Sequence, residues 1–569
     1  MVTPNACMGV QLLVQEVFSA MTGGILHRDG VSRGLRPRRM TPSGIRCRPS
    51  RFHSDGTLRC SDSLPSLHAV PTMPIRTFRT AIAVLAFALP SFAFADPPIQ
   101  APSASLEEVL APIVSDRTFT RSDAAIQVVN LRTGEEVFAR DADRGLIPAS
   151  TMKVLTAATA LRTLGPSYRF KTEIWSDGRI DAAGVLRGNL YIKGGADPTL
   201  VVEKLWKLIF DLKAEGLTRI DGDVIYDEDF FGPDHHLVGW DKPEDIARGP
   251  SYYPPIGALS LNFNTAALLV GPGAEIGGPA RVLLETPAGE VVVVDNQATT
   301  SGRGSRARIG IEREVEGGTT TFTVTGSTPS GNGVDRIYRT IDDPAAHFRG
   351  AFEEMLAVHG VAVSGSHHMG STPADGANKL LTLRSPPLAA VLMDMNKLSN
   401  NFIAETVLRT VGAETYGSPG TTESGVQAVH DYLVSLGIPE EEFTLVNGSG
   451  LSRSTRIAPS HLTAVLVDMA ADRRVGAEFQ SSLAIAGQDG TLWRRLRDEP
   501  GRLRGKTGTI DGIHCLAGYV EAADGERYAF AFLVNDVSGG IWQVRELHDR
   551  FAREMFLVDA DPDDEEATP

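Results

Sequence analysis

The sequence predicts a mixed α/β protein of at least two domains, and three observations support this. Its 569 residues exceed what one hydrophobic core usually serves, and 42% apolar with 22% charged residues is typical of globular proteins. Apolar residues at helical spacing dominate residues 150–164 and much of 370–560. Residues 171–369 instead contain short β-branched runs separated by Gly and Asp.

The first 95 residues differ from the rest of the chain. Residues 1–72 contain nine Arg, no Lys and four acidic residues, without a sustained apolar period. Residues 73–95 begin MPIRTFRT, continue with the apolar run AIAVLAFAL and end in a small-x-small triplet at Ala95, which is typical of a cleaved secretory signal peptide. We therefore expect translation to start at Met73 and residues 1–72 to be a mis-assigned upstream segment. The alternative is a genuine N-terminal extension.

The expected mature chain, from Asp96 onward, carries 44 basic and 66 acidic residues, a net charge of −22. This charge disfavours nucleic-acid binding. Cys515 is its single cysteine, so an intrachain disulfide and a cysteine-built zinc site are excluded. The acidic tail, residues 561–569, offers no amphipathic anchor. We expect a periplasmic or otherwise extracytoplasmic protein without a stable membrane anchor.

Local patterns predict the individual elements. AAIQVVNL and EEVFAR flank a Gly-containing turn and predict a strand pair. STMKVLTAATALRTL predicts a buried helix from Ser150 to Leu164, which Gly165-Pro166 ends. We interpret residues 171–369 as an inserted β-rich region of two nested domains, the inner one at about 268–335. The C-terminal part predicts two antiparallel strands, KTGTIDGIHCLAGYVEA and RYAFAFLVND, and a final helix.

Ser150 and Lys153 form a Ser-x-x-Lys pair at the predicted start of the first helix. Residues i and i+3 lie on one helix face, so the two side chains can meet. The positive end of the helix dipole would stabilise a serine alkoxide and favour a neutral lysine. The alternative is an ordinary serine cap followed by a solvated lysine. A lysine in the first turn faces the dipole unfavourably, which argues against a purely structural residue.

A Ser-x-Asn motif could supply a proton relay and an orienting amide. The chain has three copies, at Ser260–Asn262, Ser330–Asn332 and Ser399–Asn401. The first copy lies in LSLNFN, whose alternation predicts a strand, and the second lies in a Gly-rich turn. The third lies between two helical segments, where a loop can present side chains to a cleft. We therefore select Ser399 and Asn401 and interpret the other copies as structural.

The third motif is Lys506-Thr507-Gly508-Thr509, which occurs once and opens a predicted C-terminal strand. A cation and two hydroxyls at a strand edge suit a substrate carboxylate, and Gly508 permits close approach of a ligand. Strand backbone groups can also bind an extended peptide. The alternative is a solvated edge strand with a turn.

The three motifs occur in this order on a helix, a loop and a strand, which is the signature of penicillin-binding proteins and class A β-lactamases. Other segments carry the likeness through most of the chain after residue 95: GGADPTL, PIGALSLNFN, MNKLSNNFIAE, NGSGLSR, GQDGTL and GKTGT. The sequence resembles the D-alanyl-D-alanine carboxypeptidase/endopeptidase family of low-molecular-mass, class C penicillin-binding proteins. The long segment between Lys153 and Ser399 fits a family that inserts two domains there. Asn447 is a departure, because the family more often has Asp at this place.

This resemblance implies an α/β serine-transferase domain, with an antiparallel sheet flanked by helices, formed by residues 100–170 and 370–560. It implies acyl transfer on peptidoglycan stem peptides, inhibition by β-lactams, and no cofactor. No metal site is expected either, because the pairs His235-His236 and His367-His368 lack ligand partners at a fitting spacing.

The resemblance also assigns roles to the motif residues. It implies that neutral Lys153 deprotonates Ser150, that Ser399 relays the proton to the leaving amine, and that Asn401 holds Lys153 and the substrate amide. The backbone N–H groups of Ser150 and Thr509 would form the oxyanion hole. The residues expected to bind the terminal carboxylate, or to allow its approach, are Lys506, Thr507, Gly508 and Thr509.

Two other functions remain open. One is a β-lactamase, although the short segment expected to hold a deacylating Glu is replaced by the insertion. The other is a non-catalytic envelope scaffold whose inserted domains bind partners or glycan; the intact motifs argue against it.

Overall fold

The computed structural model describes residues 106–237, 240, 248–523, 525–537 and 540–558. The expected upstream segment 1–72, signal peptide 73–95 and acidic tail 561–569 lie outside these residues. Within the described ranges, no helix has the length and apolar composition that crossing a bilayer requires.

Eleven α-helices lie within the described residues. In chain order they are α1 (Leu106–Val114), α2 (Arg117–Thr120), α3 (Met152–Leu164), α4 (Val202–Ala214), α5 (Pro344–Val358), α6 (Leu388–Lys397), α7 (Asn401–Tyr416), α8 (Thr422–Ser435), α9 (Pro459–Ala471), α10 (Gly476–Ser482) and α11 (Ile541–Phe556).

The described strands form five sheets. In chain order they are β1 (Asp123–Asn130), β2 (Glu136–Arg140), β3 (Lys171–Ser176), β4 (Val185–Leu186), β5 (Leu190–Gly195), β6 (Arg219–Ile220), β7 (Val224–Asp227), β8 (Thr265–Gly271), β9 (Arg281–Leu284), β10 (Val292–Asn296), β11 (Thr299–Ser301), β12 (Arg308–Glu316), β13 (Thr319–Pro329), β14 (Asp335–Thr340), β15 (Ala362–Val363), β16 (His367–Met369), β17 (Asn378–Arg384), β18 (Ala484–Ile485), β19 (Leu503–Ile510), β20 (Ile513–Glu521) and β21 (Arg527–Asn535).

The largest sheet joins the two ends of the described chain. Its strand order is β18-β19-β20-β21-β1-β2, and every neighbouring pair is antiparallel. Strand β1 pairs with β21 along its whole length, from Asp123 opposite Asn535 to Asn130 opposite Tyr528. The early predicted strand pair is therefore present as β1–β2, completed by strands from the far end of the sequence.

Helices cover both faces of this sheet. Successive side chains of a strand point to opposite faces, and in β21 the residues Ala529, Ala531 and Leu533 enter one core. That core also contains apolar faces of α3, α6, α7, α8 and α9. The intervening Phe530 and Phe532 enter a second core built with α1, α2 and α11. A strand buried on both faces accounts for the unbroken apolar run AFAFLV.

A second sheet, in the order β16-β7-β5-β3-β17, mixes parallel and antiparallel pairs. Helix α4 packs on its core with a stripe of buried residues at i, i+3, i+4 and i+7: Leu205, Leu208, Ile209 and Leu212. Strand β17 follows the predicted insertion boundary at 369 but pairs with β3, which lies at the start of the insertion.

Three smaller sheets complete the β-rich region. They are β14-β8-β9, the parallel set β15-β6-β4, and β10-β13-β11 with β12 on β13. The predicted strand in LSLNFN is wrong, because residues 262–264 form a 3-10 turn with positive φ before β8 begins.

The C-terminal strand count also differs from the prediction. KTGTIDGIHCLAGYVEA forms two strands, β19 and β20, whose closing pair is Ile510 opposite Ile513. Asp511-Gly512 makes the turn between them, with Gly512 at φ +75°. The prediction missed this Asp-Gly turn, so the Lys-Thr-Gly motif lies on the third strand from the end of the described chain.

Candidate active site

Ser150 lies on a strained backbone at the entrance to α3. Residues 149–151 form one 3-10 turn that runs directly into the helix. Ala149 has φ +46°, a left-handed conformation that is costly for a residue with a side chain and that is found most often at functional sites. The Thr151 hydroxyl donates to the Pro148 carbonyl at 2.7 Å and braces the turn.

Lys153 is completely buried and contacts Ser150 directly. Its Nζ lies 3.0 Å from Ser150 Oγ, 2.8 Å from Asn401 Oδ1 and 2.7 Å from the Ser449 carbonyl oxygen. The alternative of a solvated lysine is therefore wrong. The N-cap residue of α3 is Thr151 and makes no side-chain capping bond, so Ser150 is not an ordinary cap either.

These three contacts fit a neutral amine. The Asn401 amide oxygen and the Ser449 carbonyl oxygen can only accept, so they take the two N–H groups of a neutral Lys153. Its lone pair then faces the Ser150 hydroxyl, which can donate to it. Burial lowers the pKa of Lys153 to about 7, although attraction to Glu405 acts in the opposite direction. Near neutral pH the amine is therefore available as a proton acceptor.

Ser399 and Asn401 lie at the junction of α6 and α7. Ser399 has φ +58°, so the chain reverses sharply between the two helices. The Asn400 side chain caps α7 by accepting from Ile403 N–H at 3.0 Å. Asn401 uses Oδ1 for Lys153, and its Nδ2 donates to the Tyr252 carbonyl at 2.9 Å.

The other two Ser-x-Asn copies do not join this cluster. The Ser260 hydroxyl donates to the Gly257 carbonyl at 2.8 Å, and Asn262 donates to the Thr286 hydroxyl at 3.0 Å. Asn332 lies in the turn between β13 and β14, where its N–H bonds the Pro329 carbonyl. The choice of Ser399 and Asn401 is the one that the geometry favours.

Lys506 lies on β19 and is buried beside Ser399. Its Nζ donates to Ser399 Oγ at 2.9 Å and to the Thr507 carbonyl at 2.7 Å. Burial lowers the pKa of Lys506 well below its ordinary value, and repulsion from Lys153 lowers it further. The pocket therefore resists carrying both cations at once, and an arriving carboxylate would favour the charged form of Lys506.

The remaining residues of the Lys-Thr-Gly-Thr motif follow Lys506 along β19. The Thr507 hydroxyl donates to the Thr491 hydroxyl at 2.8 Å. A Cβ on Gly508 would lie 2.7 Å from the Pro148 carbonyl oxygen, so glycine lets β19 approach the backbone that leads into Ser150. Thr509 is exposed and pairs with His514 of β20. The Pro148 backbone therefore makes a close approach to Gly508.

Four contact residues of the cluster were not predicted from the sequence: Tyr252, Glu405, Ser449 and Thr491. Tyr252 and Ser449 act through backbone carbonyls, which leave no signal in side-chain type. Glu405 and Ser449 lie in two of the family-like segments, MNKLSNNFIAE and NGSGLSR. The acidic residue that ends the first segment, Glu405, was the one sequence signal that could have pointed to a further site residue.

The histidine pairs engage other groups. His235 Nε2 lies 2.8 Å from Glu228 Oε2, and His367 Nδ1 lies 2.9 Å from the Tyr226 hydroxyl. In the described part of the chain, no three His, Cys, Asp or Glu side chains are grouped so that they could hold a metal ion.

Comparison with known proteins places the chain in a family. Residues 106–551 match the D-Ala-D-Ala carboxypeptidase 3 (S13) family. The D-alanyl-D-alanine carboxypeptidase of Actinomadura sp. is 35% identical over 449 residues, which cover 76% of this chain and 81% of that protein. The Haemophilus influenzae D-alanyl-D-alanine carboxypeptidase DacB is 28% identical over 403 residues, covering 69% and 81% respectively. The chain therefore belongs to the D-Ala-D-Ala carboxypeptidase 3 (S13) family.

A solved structure supports the fold. The crystal structure of penicillin binding protein 4 (dacB) from Haemophilus influenzae matches with a TM-score of 0.68 and 25% identity, over 79% of this chain and 99% of that one. The predicted α/β fold class, an antiparallel sheet flanked by helices with a β-rich insertion, is confirmed.

Proposed function

We propose that this chain is a serine-type D-Ala-D-Ala carboxypeptidase/endopeptidase that acts on peptidoglycan stem peptides and is inhibited by β-lactams. One observation carries the proposal: Lys153 Nζ lies 3.0 Å from Ser150 Oγ while two carbonyl oxygens occupy its N–H groups. Family membership and the β-lactam complex solved for the Haemophilus influenzae relative add support.

Acylation begins with transfer of the Ser150 proton to the lone pair of Lys153. The Ser150 oxygen then attacks the carbonyl carbon between the two D-alanines, and a tetrahedral oxyanion forms. Backbone N–H groups of Ser150 and Thr509 stabilise that anion, because β19 packs against the turn that carries Ser150. Asn401 keeps Lys153 aligned through its Oδ1.

Collapse of the intermediate breaks the carbon–nitrogen bond. The proton taken from Ser150 passes through Ser399 to the leaving amine of D-alanine, and the acyl group stays on Ser150. Lys506, Thr507 and Thr509 bind the carboxylate of the leaving residue, because an ammonium group and two hydroxyls are hydrogen-bond donors that suit a carboxylate. Water then hydrolyses the ester and returns Ser150 with its proton.

We also propose a location outside the cytoplasm and a division of the chain into domains. Export by the signal peptide at 73–95 would place the enzyme outside the cytoplasm, where peptidoglycan lies. We assign residues 100–170 and 370–560 to the catalytic domain and 171–369 to the nested insertion, except that β17, residues 378–384, pairs with β3 and therefore belongs with the insertion. The strand pairing of β1 with β21 supports this catalytic assignment, since these strands lie at opposite ends of the chain.

Digestion of purified muropeptides, followed by mass spectrometry, tests the function. Loss of one D-alanine from pentapeptides is the expected carboxypeptidase result, and conversion of crosslinked dimers to monomers would establish endopeptidase activity. Lys153→Ala is the inactive control. Rapid turnover of a chromogenic cephalosporin without muropeptide cleavage would favour a β-lactamase instead, and inertness toward both would favour a scaffold.

A further inference from the structure

Glu405 is a buried acid next to the reacting groups, and the mechanism above does not use it. It lies one helical turn after Asn401 on α7, and its side chain is completely shielded from solvent. Burying an ionised carboxylate is costly unless it is hydrogen-bonded and electrostatically compensated. Its two oxygens accept from the backbone N–H groups of Ser449 at 2.7 Å and Gly448 at 3.0 Å.

The turn that Glu405 holds, residues 447–450, also holds Lys153. The Ser449 carbonyl accepts from Lys153 Nζ at 2.7 Å, so the backbone of a single residue, Ser449, links the carboxylate to the amine. A further bond fixes this turn from α3, because the Thr156 hydroxyl donates to the Gly448 carbonyl at 2.7 Å.

The same turn supports the backbone that carries Ser150. Gly450 has φ +77°, and a Cβ there would lie within 2 Å of the Ala149 carbonyl oxygen, so the two backbones are in close contact. Displacement of the 447–450 turn would therefore disturb both Lys153 and the strained residue before Ser150.

Glu405 is also the anion that acts electrostatically on Lys153. Its attraction raises the pKa of Lys153 against the stronger effect of burial. The other charges facing this pair are Lys506, which comes from β19, and Arg409, one turn further along α7. Residues 447–452 and the α3 residues 154–161 contribute no charged side chain.

We propose that Glu405 is a positioning residue for acylation of Ser150: its carboxylate clamps the 447–450 turn and, through the Ser449 carbonyl, fixes the place and the charge of Lys153. The inference rests on the proposed function, in which Lys153 takes the Ser150 proton. Glu405 does not touch the reacting atoms and acts only through Lys153 and its turn.

The test is the pH profile of the acylation rate constant with a fluorescent penicillin, measured for wild type, Glu405→Gln and Thr156→Val. Glu405→Gln removes the charge, so the midpoint of the acid limb is expected to move down by about one pH unit. The plateau rate of Glu405→Gln is also expected to fall at least tenfold, because one of the two accepting oxygens becomes an NH2 group that faces a backbone N–H donor. Thr156→Val loosens the same turn without a charge change and should lower the plateau while leaving the midpoint in place.

The controls separate this inference from the function it rests on. Glu414→Gln, at the exposed end of the same helix, should leave both plateau and midpoint unchanged. If Glu405→Gln does not fold by circular dichroism, Glu405→Asp replaces it, and it should keep the midpoint while lowering the plateau. An unchanged plateau and midpoint in Glu405→Gln would overturn the inference. A midpoint that moves down by about one pH unit in Glu405→Asp, which keeps the charge, would overturn it as well. Failure of wild type to react would instead overturn the proposed function.

Discussion

Acidification from pH 8 to pH 5 is expected to slow acylation of Ser150 about ninetyfold. The perturbation acts on Lys153, whose pKa burial lowers to about 7 and whose neutral form takes the Ser150 proton. With that value about nine-tenths of the enzyme holds a neutral lysine at pH 8, and about one-hundredth does at pH 5. The sign follows from the base: protonation removes its lone pair, so the rate falls as pH falls.

The assay is the pseudo-first-order rate of labelling by a fluorescent penicillin between pH 4.5 and 9.5, at penicillin concentrations well below saturation. A solvated lysine with its ordinary pKa near 10.4 would give a rate that keeps rising beyond pH 9. The buried Lys153 instead predicts a plateau above about pH 8. A rate that does not change between pH 5 and 8, or that still rises steeply at pH 9.5, would refute the assignment of Lys153 as the base.

Three further predictions follow from single contacts. Lys153→Met removes a buried amine whose pKa is lower in the folded than in the unfolded protein. The free energy of unfolding of wild type should therefore increase, relative to this variant, by up to about 1.4 kcal/mol per pH unit between pH 7 and 10. A difference between the two proteins in urea denaturation that does not change with pH over that range would contradict this. Thr491→Val removes the hydroxyl that accepts from Thr507. In a D-alanine release assay it should raise KM for a D-Ala-D-Ala peptide several-fold and leave kcat nearly unchanged. A fall in kcat alone would count against a role of Thr507 in binding the substrate carboxylate. Phe551→Ala empties a buried site against Phe530 and Phe532 and should cost about 3–5 kcal/mol in urea unfolding, whereas a loss below about 1 kcal/mol would show that the second core is loosely packed.

The sequence predicted those parts of the site that depend on local pattern and side-chain chemistry. The helix at Ser150 is present because its apolar spacing is local, and the hydroxyl–amine pair follows from i, i+3 geometry. Ser399 was chosen over two other serines because it lies between helical segments; it does lie at a helix junction, with φ +58°, and contacts Lys506, while its catalytic role stays a prediction.

What the sequence did not predict is tertiary contact through the backbone. Ser449 reaches Lys153 across 296 positions with a carbonyl oxygen, a group that every residue has. Tyr252 likewise contacts Asn401 through its carbonyl, from a segment far away in sequence. The 3-10 turn at 262–264 was missed because alternating apolar residues predict a strand, whereas Asn264 is buried and its side chain bonds the Pro255 carbonyl. Tertiary packing overrides local preference at such places.

The site of the covalent β-lactam adduct tests directly whether Ser150 is the nucleophile. Purified protein would be treated with benzylpenicillin, digested and analysed by tandem mass spectrometry, with Ser150→Ala handled in parallel. We expect one penicilloyl adduct, on Ser150, and none in Ser150→Ala. An adduct on another residue, or labelling that persists in Ser150→Ala, would contradict it.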